Sequence, residues 1–206
     1  MSMFSSATNT FTAKVGVFCG ARAGVSDDHI TLGHDFGLAL AARGAGLVYG
    51  AGGTGVMHAV ARGVFDGGSA VTGVVPHELR EREKSLEVRG EIFVVKDMHA
   101  RKALMYRLSD AFAVLPGGLG TLDELMEVAT WNQLRFHCKP LVLVNRDGFY
   151  DPLIALLDHL VGAGFIGAEE RALIQDTDDV EDALDLLGCR PRYSPEEKAS
   201  NLAFSS

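Results

Sequence analysis

The sequence predicts an α/β fold, a doubly wound parallel sheet with helices on both faces. Three observations lead to this prediction: short apolar runs alternate with helical segments, each run is almost continuously apolar, and glycine-rich turns follow two of the runs. Strands that are apolar throughout are buried on both faces, which is typical of parallel sheets between helical layers. Ligands of such folds bind beyond the carboxyl ends of the strands.

Six strands and six helices can be assigned along the chain. The predicted strands cover residues 15–19, 47–49, 70–75, 92–95, 111–115 and 141–144. The predicted helices cover about 27–43, 56–65, 98–109, 121–134, 151–163 and 178–187, with a short apolar piece at Leu173 and Ile174. Ser26 and Asp97 belong to the residue types that cap helix N-termini, and Gly44 is typical of a helix end.

We expect one domain, residues 13–189, between flexible tails at residues 1–12 and 190–206. The chain of 206 residues is 47% apolar, which is enough for one core. The first ten residues do not resemble a signal peptide, and no apolar run approaches the ~20 residues of a membrane helix. Three scattered cysteines indicate neither disulfides nor a zinc site. We therefore expect a cytoplasmic protein without a membrane partner.

The charge of the chain limits its partners. Lys and Arg number 19 against 27 Asp and Glu, for a formal net charge of −8. Such a protein repels polynucleotides at long range, so we expect no nucleic-acid polymer as partner. A small anion in a local basic pocket stays compatible with this charge. The seven histidines show no metal-ligand spacing, and we expect neither a metal nor a cofactor.

Two glycine loops each follow a strand and open a helix. The first, residues 50–55, fits G-x-G-x-x-G, but no acidic residue ends the next strand to hold a ribose, which disfavours a dinucleotide oxidoreductase. A tight strand-to-helix turn is the alternative interpretation. The candidates for a nucleotide loop in this region are Gly20, Arg22, Gly50, Gly52 and Gly53.

The second glycine loop, residues 116–121, is more informative. Its glycines let backbone N–H groups converge beside a helix N-terminus, and this arrangement suits a phosphate. No Lys-Ser/Thr pair follows, so it is not a Walker loop for a triphosphate. Thr121 and Glu124 also fit a capping box, which would make Glu124 a helix cap. Against this, a carboxylate in the first turn beside a phosphate loop would face the ligand.

Residues 116–124, Pro-Gly-Gly-Leu-Gly-Thr-Leu-Asp-Glu, resemble the P-G-G-x-G-T-x-x-E signature of the "lonely guy" family. These are cytokinin riboside 5′-monophosphate phosphoribohydrolases, often labelled lysine decarboxylases. Residues 97–102, 49–57, 131–134 and 145–150 are also similar to family motifs, so that the resemblance covers about residues 14–187. The chain departs from the family at Ala51 and Val56, and in residues 19–22, where the family often has Gly-Ser-Ser/Ala.

The resemblance implies a Rossmann-like homodimer that cleaves an AMP-like nucleotide into free base and ribose 5-phosphate. By matched position it implies that Arg101 and Glu124 are catalytic. The substrate contacts that it implies, in addition to these two residues, are Glu83, Lys102, Gly117, Gly118, Leu119, Gly120, Thr121, Leu122, Asp123 and Thr130. The sequence leaves open whether the N6 substituent of the base is isopentenyl or hydrogen.

The residues themselves allow alternative roles. Arg101 does not act as a proton donor, because a guanidinium does not deprotonate in proteins; we expect it to orient Glu124 and to contact the substrate. Lys102 and Glu83 also suit solvated surface charges, and Thr130 suits a backbone-bonded helix position. Trp131 suits a core or a dimer surface. A non-catalytic nucleotide carrier is the alternative function, while nothing in the sequence marks a pyridoxal-phosphate lysine of a decarboxylase.

Overall fold

A computed structural model of the chain describes residues 13–82 and 90–189. Within them, the strands are β1 Lys14–Phe18, β2 Gly46–Tyr49, β3 Val71–Pro76, β4 Glu91–Val95, β5 Ala111–Val114, β6 Leu141–Val144 and β7 Gln175–Thr177. The helices are α1 Asp28–Ala42, α2 Gly55–Asp66, α3 His77–Arg82, α4 Met98–Leu108, α5 Leu119–Gln133, α6 Asp151–Gly162, α7 Ala168–Arg171 and α8 Val180–Leu186. A short 3-10 turn covers Arg146–Gly148.

All seven strands lie in one sheet in the order β4-β3-β2-β1-β5-β6-β7. Every neighbouring pair is parallel. The chain builds the sheet outward from β1 to β4, then crosses back to place β5 on the other side of β1. The strand order therefore reverses between β1 and β5, and a crevice opens there at the carboxyl ends of the strands. This topology confirms the predicted doubly wound parallel sheet.

The core has two apolar layers, one on each face of the sheet. In β2, Leu47 and Tyr49 belong to the layer that also holds residues of α1, α2 and α8, whereas Val48 points to the layer with residues of α4, α5 and α6. All four residues of β2 are buried. The period of two along a fully apolar strand explains why both faces need helices, as the sequence predicts.

The helix termini agree with the sequence in some places and differ in others. Asp97 caps α4 as predicted, because its carboxylate accepts a hydrogen bond of 2.8 Å from Ala100 N. Ser26 is not the cap of α1: the cap position belongs to Asp27, and the Ser26 hydroxyl accepts from Asp28 N at 3.1 Å. Helix α5 begins at Leu119, two residues before the predicted start.

Three elements were not predicted: α3, α7 and β7. The three residues of β7 are polar and mostly exposed, and the strand pairs only with β6 at the edge of the sheet. An edge strand of this kind has no apolar run that a sequence pattern can detect. The apolar piece at Leu173 and Ile174 precedes it, and Ile174 is buried in the core.

Some predictions concern parts of the chain outside the described residues. These are the tails at residues 1–12 and 190–206 and the substrate contact Glu83. In the described part of the chain, no helix has both the length and the apolar character to cross a membrane.

Candidate active site

A cleft of about 830 Å³ lies at the reversal of the strand order, between the loops that follow β1 and β5. Most of its lining comes from these two loops and from the first turns of α1, α2, α4 and α5. The lining residues are Cys19–Val25, His29, Val56, Met57, Met98, Arg101, Pro116–Thr121, Asp123, Glu124 and Phe149. Its size is that of an ordinary small-molecule site.

The loop after β1 is held in place from three directions. Gly20 N donates to Pro116 O at 3.0 Å, and Gly20 O accepts from Met57 N at 3.0 Å. The Thr54 hydroxyl donates to Ala21 O at 2.8 Å. These hydrogen bonds fix the backbone of this loop against both glycine loops. Arg22, which lines the cleft, belongs to this fixed loop.

The loop after β5 presents an uncapped helix N-terminus to the cleft. Gly118 occupies the cap position of α5, where it has no side chain to accept from the first turn. The first intrahelical bond from this cap joins Leu122 N to Gly118 O, so the preceding N–H groups have no carbonyl partner inside the helix. Such a terminus can bind an anion through its N–H groups and its dipole.

The predicted capping box of Thr121 and Glu124 is wrong. Because α5 begins at Leu119, Glu124 lies in its second turn, where its carboxylate cannot reach back to the first N–H groups. Thr121 is buried at the third helical position. The alternative expectation, that Glu124 faces the ligand, agrees with its position in the lining of the cleft.

Arg101 and Glu124 lie together in the wall of the cleft. Arg101 Nη2 is 3.6 Å from Glu124 Oε1, and the two residues are only 8% and 9% exposed. Arg101 comes from the first turn of α4, which Asp97 caps, and Glu124 comes from α5. The guanidinium lies against Gly50, where an added Cβ would be only 1.8 Å from Arg101 Nη2.

Burial dominates the electrostatics of this pair. The pKa of Glu124 is raised to about 7, mainly by desolvation. Arg101 acts against this shift, and the negative charge of Asp123 contributes to it. Arg101 Nε is buried without a hydrogen-bond acceptor among the described residues. The site thus combines a carboxylate that titrates near neutral pH with a cationic group that has an unused donor, which is typical of acid–base centres.

Only some of the other predicted substrate contacts line the cleft. The lining of the cleft includes Asp123, Leu119, Gly117, Gly118, Gly120 and Thr121, as well as Gly20 and Arg22. Leu119 is 87% exposed at its mouth, whereas Leu122 packs against the core. Gly50, Gly52 and Gly53 are absent from the lining, and Gly52 N donates to Met57 Sδ at 3.1 Å.

Lys102 and Thr130 are outside the cleft. Lys102 Nζ lies 3.1 Å from both Asp123 Oδ2 and Glu127 Oε2, in a groove between α4 and α5. Burial lowers the pKa of Lys102, but its bonds to the two carboxylates outweigh burial and leave the pKa raised. The Thr130 hydroxyl donates to Met126 O at 2.7 Å, as a backbone-bonded helix threonine does.

Several residues that line the cleft were not predicted as site residues, although three of them lie in the segments that resemble the family. His29 and Phe149 form an edge-to-face pair with ring centroids 5.5 Å apart at one end of it, and Met57 and Met98 lie in the same lining. Phe149 follows β6, and residues that follow parallel strands lie at the same edge of the sheet. Its position after a predicted strand was therefore a signal that it could reach the cleft. Within the described residues, no group of His, Cys, Asp or Glu could hold a metal ion.

Comparisons with known proteins give the fold and the family. Structures of the molybdenum cofactor binding protein of Rippkaea orientalis and of the molybdenum cofactor carrier protein of Chlamydomonas reinhardtii match with TM-scores of 0.64 and 0.60, both at 20% identity. The matches cover 87% and 86% of this chain and 97% and 96% of those chains. At this identity the likeness concerns the Rossmann-like fold alone.

Sequence relatives are much closer. Residues 57–187 match the family described as "Possible lysine decarboxylase". A cytokinin riboside 5′-monophosphate phosphoribohydrolase of Arabidopsis thaliana is 43% identical over 182 residues, which are 88% of this chain and 83% of the relative. A "Probable cytokinin riboside 5′-monophosphate phosphoribohydrolase" of Oryza sativa subsp. japonica is 48% identical over 165 residues, 78% of this chain and 72% of the relative. The chain therefore belongs to the family of cytokinin riboside 5′-monophosphate phosphoribohydrolases.

Proposed function

We propose that this protein hydrolyses the N-glycosidic bond of adenosine 5′-monophosphates, with or without an N6 substituent, to free base and ribose 5-phosphate. The observation that carries the proposal is the buried pair of Arg101 and Glu124 beside an uncapped helix N-terminus in one cleft. The named relatives support the same substrate and reaction. The N-terminus of α5 would bind the phosphate and thereby bring the ribose to the charged pair.

Glu124 is the group best suited to the reacting carbon. N-glycosidic cleavage develops positive charge on the ribose ring, as cleavage of O-glycosides does. The carboxylate would offset that charge and take a proton from the attacking water. Because burial raises its pKa to about 7, Glu124 is a base matched to neutral pH. Arg101 would orient the carboxylate and contact the substrate through its free Nε donor.

A carrier protein is the second candidate function, and it needs only the phosphate loop. A buried ion pair costs desolvation energy that binding alone does not require, so the Arg101–Glu124 pair favours catalysis. A lysine decarboxylase is disfavoured at Lys102, because two carboxylates hold its ammonium protonated. A Schiff base needs a neutral amine.

The decisive experiment is incubation of the protein with AMP and with N6-isopentenyl-AMP, followed by chromatography for free base and an assay for ribose 5-phosphate. We expect both products in equal amounts. The matching nucleosides without phosphate should react with a far lower kcat/KM, because they leave the α5 N-terminus without its anion. Nucleotide binding without release of base would replace the proposed function by that of a carrier.

We also propose a homodimer and a cytoplasmic location. Exposed apolar residues on α5 and the turn after it support a protein contact surface: Met126, Leu134 and Phe136. Light scattering at micromolar concentration should give twice the mass of a single chain, and a monomer would contradict the proposal. The scattered free cysteines Cys19, Cys138 and Cys189 are the support for a reducing compartment.

A further inference from the structure

A second, much smaller cavity lies beside Glu124, in the groove between α4 and α5. Its volume of about 10 Å³ gives room for one water molecule. It adjoins the carboxylate that the proposed mechanism uses, but it is separate from the substrate cleft. The residues that line it are Phe18, Lys102, Tyr106, Glu124, Glu127, Val128 and Trp131.

Tyr106 lines this cavity with part of its side chain and carries an unsatisfied hydroxyl. The hydroxyl oxygen is buried and has no hydrogen-bond partner among the described residues. Its ring is fixed: it stacks on Phe112 at 5.5 Å, meets the Trp131 ring edge-to-face at 4.6 Å, and has Lys139 Nζ 4.2 Å from its centroid. A buried hydroxyl without a partner is unfavourable, so this ring position calls for a water molecule.

The charged groups around Glu124 leave its carboxylate without a close donor. Lys102 Nζ is engaged with Asp123 and Glu127, and Arg101 Nη2 stays at 3.6 Å, beyond hydrogen-bond length. The titratable groups that face Glu124 come from three elements. They are Arg101 and Lys102 on α4, Asp123 and Glu127 on α5, and the buried Cys19 after β1.

We propose that Tyr106 is a positioning residue whose hydroxyl holds a water molecule in this cavity against the Glu124 carboxylate. The water donates to the carboxylate and stabilises its ionised form, since a hydrogen bond to the charged form favours ionisation. Water is the occupant because the cavity is polar on one side and admits nothing larger. The consequence for catalysis rests on the proposed function, whereas the hydration of Glu124 does not.

In the reaction this water gives Glu124 a path to solvent that does not cross the substrate. The attacking water forms the new C1′–O bond and passes one proton to Glu124, while the C1′–N bond breaks with its electron pair going to the base, which gains one proton from solvent. The Glu124 proton then returns to solvent through the cavity water, past the partly exposed Glu127. The proton count over one turnover balances.

The test is a pH titration of the Glu124 carboxyl in the ligand-free protein. Infrared difference spectroscopy monitors the carboxyl, and the Glu124→Gln variant serves as the reference. Tyr106→Phe should raise its midpoint by about half to one pH unit, because loss of the water removes roughly one hydrogen bond from the ionised form. Val128→Ile, which fills the cavity but keeps the hydroxyl, should raise it equally. An unchanged midpoint in either variant overturns the proposal.

Tyr150→Phe is the matched control. Its hydroxyl is also buried, but it donates to Leu115 O at 2.7 Å and does not line the cavity. The Tyr150→Phe substitution should lower the Tm and leave the titration midpoint of Glu124 unchanged. Tyr106→Phe should not raise the Tm; a higher Tm would mean that the hydroxyl had no water to lose. Because no substrate is used, these results stand whether or not the protein cleaves AMP.

Discussion

The two glycine loops look alike in sequence but differ in how tightly their glycines are packed. In residues 50–55 the glycines make room for other parts of the protein: a Cβ on Gly50 would meet Arg101, and a Cβ on Gly55 would lie 2.5 Å from the Ala21 carbonyl carbon. In residues 116–121, an added Cβ on Gly117 would likewise meet Thr121 and Gly20, but Gly118 and Gly120 have nothing within 4 Å of an added Cβ. The first loop is tightly packed, whereas the second is open at Gly118 and Gly120, which line the cleft.

A glycine pattern alone therefore does not locate a ligand. The first loop needs its glycines because Arg101 and the loop after β1 pack closely against them. This agrees with the alternative interpretation of a tight strand-to-helix turn. The second loop has space in front of a helix N-terminus and holds Glu124 one turn further on. We therefore expect substitutions in the two loops to have different kinds of effect on kcat, KM and stability.

The largest effect should come from Glu124→Gln, in the helix that the open loop begins. Gln keeps the size of the side chain but neither offsets positive charge nor takes a proton from water. We expect kcat to fall by about 10²–10⁴, with nucleotide binding retained, as measured by steady-state kinetics and calorimetry. Arg101→Ala should lower kcat similarly. Near-normal turnover in Glu124→Gln would remove the carboxylate from the mechanism.

The strands follow from the apolar pattern and the charged pair follows from the family resemblance, whereas other contacts follow from neither. Six of the strands are confirmed within one or two residues, because apolar runs reflect burial on both faces. The start of α5 was misplaced because Gly118, a residue without a side chain, holds the cap position that Thr121 appeared to fill. The engagement of Lys102 by Asp123 and Glu127 joins two helices distant in sequence, and no local pattern encodes such a contact.

The second effect is the dependence of stability on pH. The folded protein holds the Glu124 proton more tightly than the unfolded chain, since burial raises its pKa from 4.5 to about 7. The stabilisation by this proton is complete below pH 4.5 and is lost as pH rises through about 7. Relative to Glu124→Gln, the wild type should therefore lose on the order of 3 kcal/mol between pH 4.5 and 8, as denaturant titrations would measure. A constant difference would contradict the raised pKa.

The same pKa sets the direction of the activity profile. If the carboxylate form is the active one, kcat/KM should rise with pH through about 7 in the wild type. The profile of Tyr150→Phe serves as control, because that residue lies outside the cleft. A kcat/KM that falls across the same range would assign Glu124 the role of a proton donor instead.

A pair of alanine substitutions compares the two loops directly. Gly50→Ala should displace the Arg101 guanidinium and lower kcat by roughly 10–100-fold, because a catalytic group moved by 1 Å loses that much. Gly118→Ala meets no protein atom, so it should leave the Tm unchanged and raise KM by obstructing the anion. Kinetics and thermal melts of both variants are the measurement. A KM effect in Gly50→Ala without loss of kcat would make the first loop a ligand site.

The smallest effect concerns Ala51, where the family has glycine. Ala51 adopts a φ of +56°, in the left-handed region that an L-residue enters at a cost of roughly 1–2 kcal/mol. Ala51→Gly removes that strain. It also removes a buried methyl group, worth about 0.8 kcal/mol, and adds entropy to the unfolded chain, worth about 0.4–1 kcal/mol. These terms nearly cancel, so we expect a change in the free energy of unfolding within about 1 kcal/mol.

The control for Ala51→Gly is the reverse exchange at the other left-handed position of the loop. Gly55 has a φ of +62°, but its added Cβ would meet the backbone of Ala21 and Arg22 at 2.5 Å. Gly55→Ala therefore combines strain with a clash against backbone that cannot move aside, because hydrogen bonds to Pro116, Met57 and Thr54 hold it. Denaturant titrations should show a clear loss of stability for Gly55→Ala alone. Equal losses in both variants would mean that backbone conformation, and not close packing, makes this loop require glycine.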